Sequence, residues 1–166
     1  MTRAVLSIGS NLGDRLAHLR SVTTAFGPYL VAVSPVYETA PWGGVDQQDF
    51  LNAVLVVDDP QAGPWDWLRR GQELEQAADR VRTVRWGART LDVDVITCSA
   101  GASSDPDLTL PHPQAHNRAF VLVPWLAADP DAVLEVDGRA HPVAELLAAL
   151  PAPEADGVRR TELVLG

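Results

Sequence analysis

Leu91-Asp92-Val93-Asp94-Val95-Ile96-Thr97 reads as a strand by its alternation, and its place in the chain decides the fold. In an extended chain, successive side chains point to opposite faces at about 3.3 Å per residue. Leu91, Val93 and Val95 therefore make one apolar face, while Asp92, Asp94 and Ile96 share the other. The two carboxylates stand roughly 6.6 Å apart along the strand by the same rise. Aspartate is disfavoured in strands, so two of them among Val, Ile and Leu are a local conflict of the kind that concentrates at functional sites. Two carboxylates on one face suit Mg²⁺, which takes hard oxygen ligands and keeps waters and substrate phosphates for the rest. The plainer reading is a half-exposed strand with two solvated aspartates, and the conflict weighs against it.

Just upstream lie Arg80, Arg82, Arg85 and Arg89, with Gly87 among them. Guanidinium forks clamp phosphate oxygens. Such a charge run is most often a solvated face; beside the two aspartates it reads as the phosphate clamp of a Mg-nucleotide site. Further upstream, Pro64 opens a helix running to about Arg80, proline being favoured at the first helical position. Gln72 and Glu75 share one face of that helix. Phe50 to Val57 is a strongly apolar strand with Phe50 and Asn52 on one face. A buried Asn there needs hydrogen-bond partners, and an amide beside an aromatic wall suits a heterocycle. Residues 30–38 read as a strand interrupted at Pro35, which predicts an edge or bent strand. Residues 3–9 form the first strand, and Asp14 caps a helix with Leu16, Leu19, Val22 and Phe26 at helical spacing. Gly9-Ser10-Asn11-Leu12-Gly13 matches neither GxGxxG nor GxxxxGK[ST] and is read as a structural turn.

Downstream, residues 99–107 read as a polar loop, and His112 after Pro111 is placed for a further contact to phosphate. A helix follows from about Asn117 to Ala127, another over 142–150, and a last strand over 158–165. The order βαββαβ predicts a ferredoxin-like α+β core in three αβα layers, with a C-terminal extension, as one domain over residues 1–166.

Composition narrows the function. With 46% hydrophobic residues and five Trp the chain is globular, and its net charge of −9 argues against general nucleic-acid or membrane binding. No apolar run approaches the roughly 18 residues of a membrane span, and no signal peptide opens the chain. One cysteine, Cys98, forms no disulfide framework, which fits a reducing, cytoplasmic setting. Every basic residue is arginine; a Walker A lysine or a Schiff-base lysine is therefore excluded.

Taken together these residues resemble the 6-hydroxymethyl-7,8-dihydropterin pyrophosphokinases of folate biosynthesis. The resemblance runs through Ile8–Gly13, Tyr37–Gly43 and Gln47–Ala53. Its most specific segment is Arg85-Trp86-Gly87-Ala88-Arg89-Thr90-Leu91-Asp92-Val93-Asp94-Val95-Ile96, and it closes with Leu110-Pro111-His112 and Asn117-Arg118-Ala119-Phe120. It implies an enzyme that transfers diphosphate from ATP to the pterin, releasing AMP; a monomer is expected. Asp92 and Asp94 would hold two Mg²⁺ that bridge the ATP phosphates, and Arg82 and Arg89 would offset the developing charge. Gln72, Glu75, Arg82, Arg89, His112 and Arg118 would line the ATP site, with Trp86 closing over it. The pterin would sit between Phe50 and Phe120. Asn52 and the segment Thr39-Ala40-Pro41-Trp42 would read its polar edge and pack its rim. The chain departs from the family's usual pattern at Ala40, Phe50, Ala88 and Pro113, and none of these touches the aspartates. Other occupants of a ferredoxin-like core are nucleotidyl transferases or cyclases, which also pair two aspartates, and small-ligand sensors, which need no such pair beside an arginine loop.

Overall fold

The computed structural model describes residues 3–40, 48–79 and 90–165. Five strands and two helices form the core: β1 (Arg3–Ser10), α1 (Arg15–Ala25), β2 (Leu30–Val33), β3 (Tyr37–Thr39), β4 (Phe50–Asp58), α2 (Pro64–Asp79) and β5 (Asp92–Cys98). The rest comprises β6 (Ser103–Asp105), β7 (Leu108–Leu110), α3 (Ala119–Ala128), β8 (Val133–Val136), β9 (Arg139–Pro142), α4 (Val143–Ala149), α5 (Ala152–Asp156) and β10 (Arg159–Arg160). The main sheet is antiparallel in the order β10-β3-β4-β1-β5, with β2 also on β4. β2 and β3 together act as one bent strand, so β4 lies between β1 and the strand that follows α1. This is the ferredoxin-like arrangement that the order βαββαβ predicts.

Pro35 causes the bend. It has no N–H to give the ladder, so pairing stops between β2 and β3. Ser34 bridges the gap: its N–H donates to the Val54 carbonyl and its Oγ accepts from the Val54 N–H, both at 2.9 Å. α1 starts where Asp14 Oδ1 accepts from the Ala17 N–H at 3.1 Å, as a capping residue does. α2 starts at Pro64, and Asp66 reaches back to the Gly63 N–H at 2.7 Å.

Strand alternation gives the sheet two buried faces. α1 and α2 cover one, with Leu6, Ile8, Leu55 and Val93 against Leu19, Val22, Phe26 and Trp67. Trp67 meets Phe26 and Tyr29 edge-on, at 5.9 and 6.0 Å between ring centroids. Arg70 lies 4.9 Å over both Tyr29 and Trp67 and pairs with Asp59 at 3.0 Å, tying α2 to the end of β4. α3 and α4 cover the other face, where Val121, Leu122 and Trp125 pack on Val5, Val54, Val56 and Ile96. Three layers result. Among the described residues no helix is long and apolar enough to cross a membrane.

The C-terminal half differs from the sequence reading in three places. Residues 99–107 hold the first strand of the β6–β7 hairpin, not only a loop. An unexpected hairpin, β8–β9, turns at Asp137 and Gly138, both with positive φ (52° and 77°). The expected strand over 158–165 shrinks to Arg159–Arg160 on β3, and a short helix, α5, precedes it. Beyond β10 the chain is held by single contacts, such as the Val36 N–H to the Leu163 carbonyl at 3.4 Å.

Candidate active site

The register of three strands builds the site. On the α3 side of the sheet Gly9 lies between Asn52 and Asp92, and the next pair along β1 sets Ser7 between Val54 and Asp94. One further step inward the same face carries Val5, Val56 and Ile96, all buried. β1 and β5 change from aliphatic to small or polar at the level of Ser7 and Asp94, and β4 follows one pair later at Asn52, where Val54 gives way. The polar end is a cavity of about 320 Å³, within the usual range for ligand sites. Ser7, Gly9, Asn52, Phe50, Asp92 and Asp94 line it from the sheet, Thr39 from the end of β3 with Ala40 just beyond it, and Asn117 and Arg118 just before α3 with Ala119 and Phe120 at its start. The N-terminus of α3 opens onto the cavity, adding its positive dipole end to the Arg118 guanidinium.

At the ring end Asn52 is buried, and its Nδ2 donates to Thr39 Oγ1 at 2.9 Å. A Cβ on Gly9 would lie 3.2 Å from Asn52 Oδ1, so any larger residue there would press on this amide. Phe50 and Phe120 border the same space, and the Arg118 guanidinium sits 5.6 Å from the Phe120 ring centroid. Arg118 thus links the aromatic end to the carboxylate end.

The carboxylate end is held from behind. α2 presses on β5 so closely that a Cβ on Gly71 would meet Val93 Cγ1 at 2.9 Å. One turn later, Glu75 Oε2 accepts from the Val93 N–H at 3.2 Å. Val93 stands between the two aspartates, so this contact fixes the strand that carries them. Gly71→Ala is expected to destabilise the protein: overpacking costs about 1–3 kcal/mol, against about 1 kcal/mol gained in helix propensity. A fall of several degrees in Tm, shrinking when Gly71→Ala is made in a Val93→Ala background where room returns, would show it. An unchanged Tm would contradict the close approach.

His112 lies against the outer edge of β5, its N–H donating to the Ile96 carbonyl at 2.8 Å. Its Nδ1 accepts from the Gln114 N–H at 3.2 Å, which leaves the ring proton on Nε2. Burial holds its pKa below the ordinary 6.5; Asp94 pulls it up and Arg118 pushes it down. The imidazole is therefore neutral at pH 7 in the free protein.

The structure thus brings Thr39, Ala40, Phe50, Asn52, Asp92, Asp94, Arg118 and Phe120 to one cavity. Glu75 and His112 approach it through β5, and Gln72 is exposed on α2. Pro41, Trp42, Arg82, Trp86 and Arg89 lie outside the described residues. Sequence reading overlooked Ser7, Gly9, Glu154 and Val158, all on the cavity wall. Only Gly9 carried a signal, a glycine inside an apolar strand, which marks close approach as readily as a turn.

Fold and cavity define a class: a ferredoxin-like enzyme with a paired-carboxylate site beside an aromatic pocket at one end of its sheet. The profile of the 7,8-dihydro-6-hydroxymethylpterin-pyrophosphokinase (HPPK) family matches residues 5–130. The 2-amino-4-hydroxy-6-hydroxymethyldihydropteridine pyrophosphokinase of Mycobacterium leprae (strain TN) is 58% identical over 175 residues, covering 99% of this chain and 92% of the relative. That of Mycobacterium tuberculosis (strain ATCC 25618 / H37Rv) is 56% identical over 168 residues, covering 96% and 89%. A solved Plasmodium falciparum HPPK-DHPS wild-type chain superposes with a TM-score of 0.64 at 14% identity over 89% of this chain, which spans 44% of that longer one. At that identity the superposition speaks for the fold alone. The chain belongs to the HPPK family.

Proposed function

We propose that the cavity between the sheet and α3 is where ATP and the pterin meet, with Asp92 and Asp94 at the phosphate end and Phe50, Asn52, Thr39 and Phe120 at the ring end. The family sets the activity: ATP-dependent transfer of a diphosphate group to 6-hydroxymethyl-7,8-dihydropterin, in folate biosynthesis. The observation that carries the placement is the register that sets Asp92 and Asp94 two residues apart on the face that α3 leaves uncovered.

The two aspartates fit Mg²⁺. They offer hard oxygens facing a cavity, and among the described residues no group of three or more His, Cys, Asp or Glu is placed to enclose a metal. An open two-carboxylate site suits a cation that keeps waters and phosphates in its shell. Two bound Mg²⁺ ions would neutralise and polarise the triphosphate. The residues of the chain do the positioning on which phosphoryl-type transfer depends. Arg118 and the α3 N-terminus meet phosphate charge, neutral His112 offers its Nε2–H, and Glu75 keeps β5 in place. By the family resemblance Arg82 and Arg89 would offset charge that develops on transfer, Trp86 would close over the nucleotide, and Gln72 would contact it. By the same resemblance Pro41 and Trp42 would serve the ring, and Asn52 reads it by its amide. The hydroxymethyl oxygen attacks the β-phosphorus, its proton is released, and AMP leaves. The same reading makes the protein a single domain over residues 1–166, by its length, acting as a monomer in the cytoplasm, where its lone cysteine fits the reducing setting.

With ATP, Mg²⁺ and the pterin, the nucleotide product is expected to be AMP in a one-to-one ratio with a pterin diphosphate ester. Chromatography and mass measurement of both products test this. ADP as the main nucleotide would mean attack at the γ-phosphorus and would refute the arrangement.

A further inference from the structure

The family profile ends at residue 130, yet part of the cavity wall lies beyond it. Glu154 and Val158 line the cavity about one turn apart, on a turn held by the Gly157 N–H to the Pro153 carbonyl at 3.0 Å and the Val158 N–H to the Ala155 carbonyl at 3.1 Å. The next residue, Arg159, pairs with Glu38 on β3 and places Nη2 at 2.7 Å from Asp49 Oδ2 and 3.7 Å from Glu38 Oε1. Arg15 closes the network, its Nη1 donating to Glu38 Oε2 at 2.9 Å and to the Asp49 carbonyl at 2.8 Å. Glu38 immediately precedes Thr39, and Asp49 immediately precedes Phe50. Thr39 and Phe50 are paired across the sheet and border the ring end of the cavity. The C-terminal segment therefore supplies an apolar side chain to the cavity and, in the adjacent residue, an ion-pair clamp on the two strands that form its ring end.

We infer that Val158 contacts the bound pterin and that Arg159 is a positioning residue for it, so that the C-terminal segment sets pterin affinity without acting on the nucleotide. The inference rests on the placement of the ring between Phe50 and Phe120. The physical reason is separation of the two ends: Glu38 and Asp49 flank Thr39 and Phe50, whereas Asp92 and Asp94 stand on β5, two strands away from β4. Exposed ion pairs are individually weak, so Arg159 acts through geometry with a modest effect.

The test uses the full chain with Val158→Ala, Arg159→Ala, Arg159→Lys and, as a reference, Asn52→Ala. KM for pterin, KM for ATP, turnover at saturation and Tm are measured for each. Val158→Ala is expected to raise the pterin KM about five- to tenfold, from the loss of two partly buried methyl groups at the cavity wall. Arg159→Ala is expected to raise it about three- to fivefold, and Arg159→Lys, which keeps the charge, to stay within about twofold of wild type. ATP KM and saturated turnover should stay within the same twofold, which a general loss of structure would not allow. A pterin KM unchanged in Val158→Ala or in Arg159→Ala, or an ATP KM that rises in parallel, would overturn the inference. If Asn52→Ala still weakens pterin binding in that case, the ring placement stands and only the C-terminal wall is lost. If Asn52→Ala also has no effect on pterin, the placement itself falls and takes the inference with it.

Discussion

Alanine at Asp92 or at Asp94 is expected to lower diphosphoryl transfer by at least about a thousandfold, since the lost charge stabilisation is worth several kcal/mol and each 1.36 kcal/mol is a factor of ten. The protein should remain folded. Both carboxylates face the cavity and not the aliphatic layers, and β5 keeps Val93, Val95 and Ile96 in those layers. A Tm within a few degrees of wild type, with transfer lost, is the expected pair of results. Activity within a few-fold of wild type in either variant would remove the aspartates from the metal site.

Asn52→Ala should weaken pterin binding by about 1–3 kcal/mol, the cost of leaving buried polar groups without partners, and should leave nucleotide binding nearly unchanged. Asn52 is buried, lies over Gly9 and is bonded to Thr39, so its amide is already oriented before any ligand arrives. Calorimetric titration of each ligand separately gives the comparison. Equal losses for both ligands would make Asn52 a structural residue.

Much of the fold was legible because its signals are local. Alternation marked β5, Pro35 marked the bend between β2 and β3, and Pro64 marked the start of α2. The same alternation placed Asp92 and Asp94 on one face. The β8–β9 hairpin had a local signal that went unread. Asp137-Gly138 is the residue pair a tight hairpin turn demands, and both residues adopt positive φ. The remaining site residues could not be read locally. Ser7 and Gly9 are small residues in a strand, and their meaning comes from Asp94 and Asn52 across the sheet, which only the register supplies. Glu154 and Val158 reach the cavity through the packing of a distant segment. The final stretch, with Val158, Leu163, Val164 and Leu165, has strand-like composition. Most of it instead runs along the fold on isolated bonds, such as Thr23 Oγ1 to the Leu165 carbonyl at 3.3 Å.

The pairing of β1 with β5 also acts as a proofreader of folding. A slip of one residue would turn Asp92 and Asp94 toward the layer occupied by Leu6, Ile8 and Trp67 and would expose Val93 in the cavity. Burying two unpaired carboxylates costs several kcal/mol each, which consumes the whole margin of about 5–15 kcal/mol that keeps a domain folded. The misaligned chain is therefore strongly disfavoured against the native register. The two acids we assign to the metal site are thus also the two that disfavour the wrong alignment, so one pair of side chains serves both the proposed chemistry and the register of the sheet.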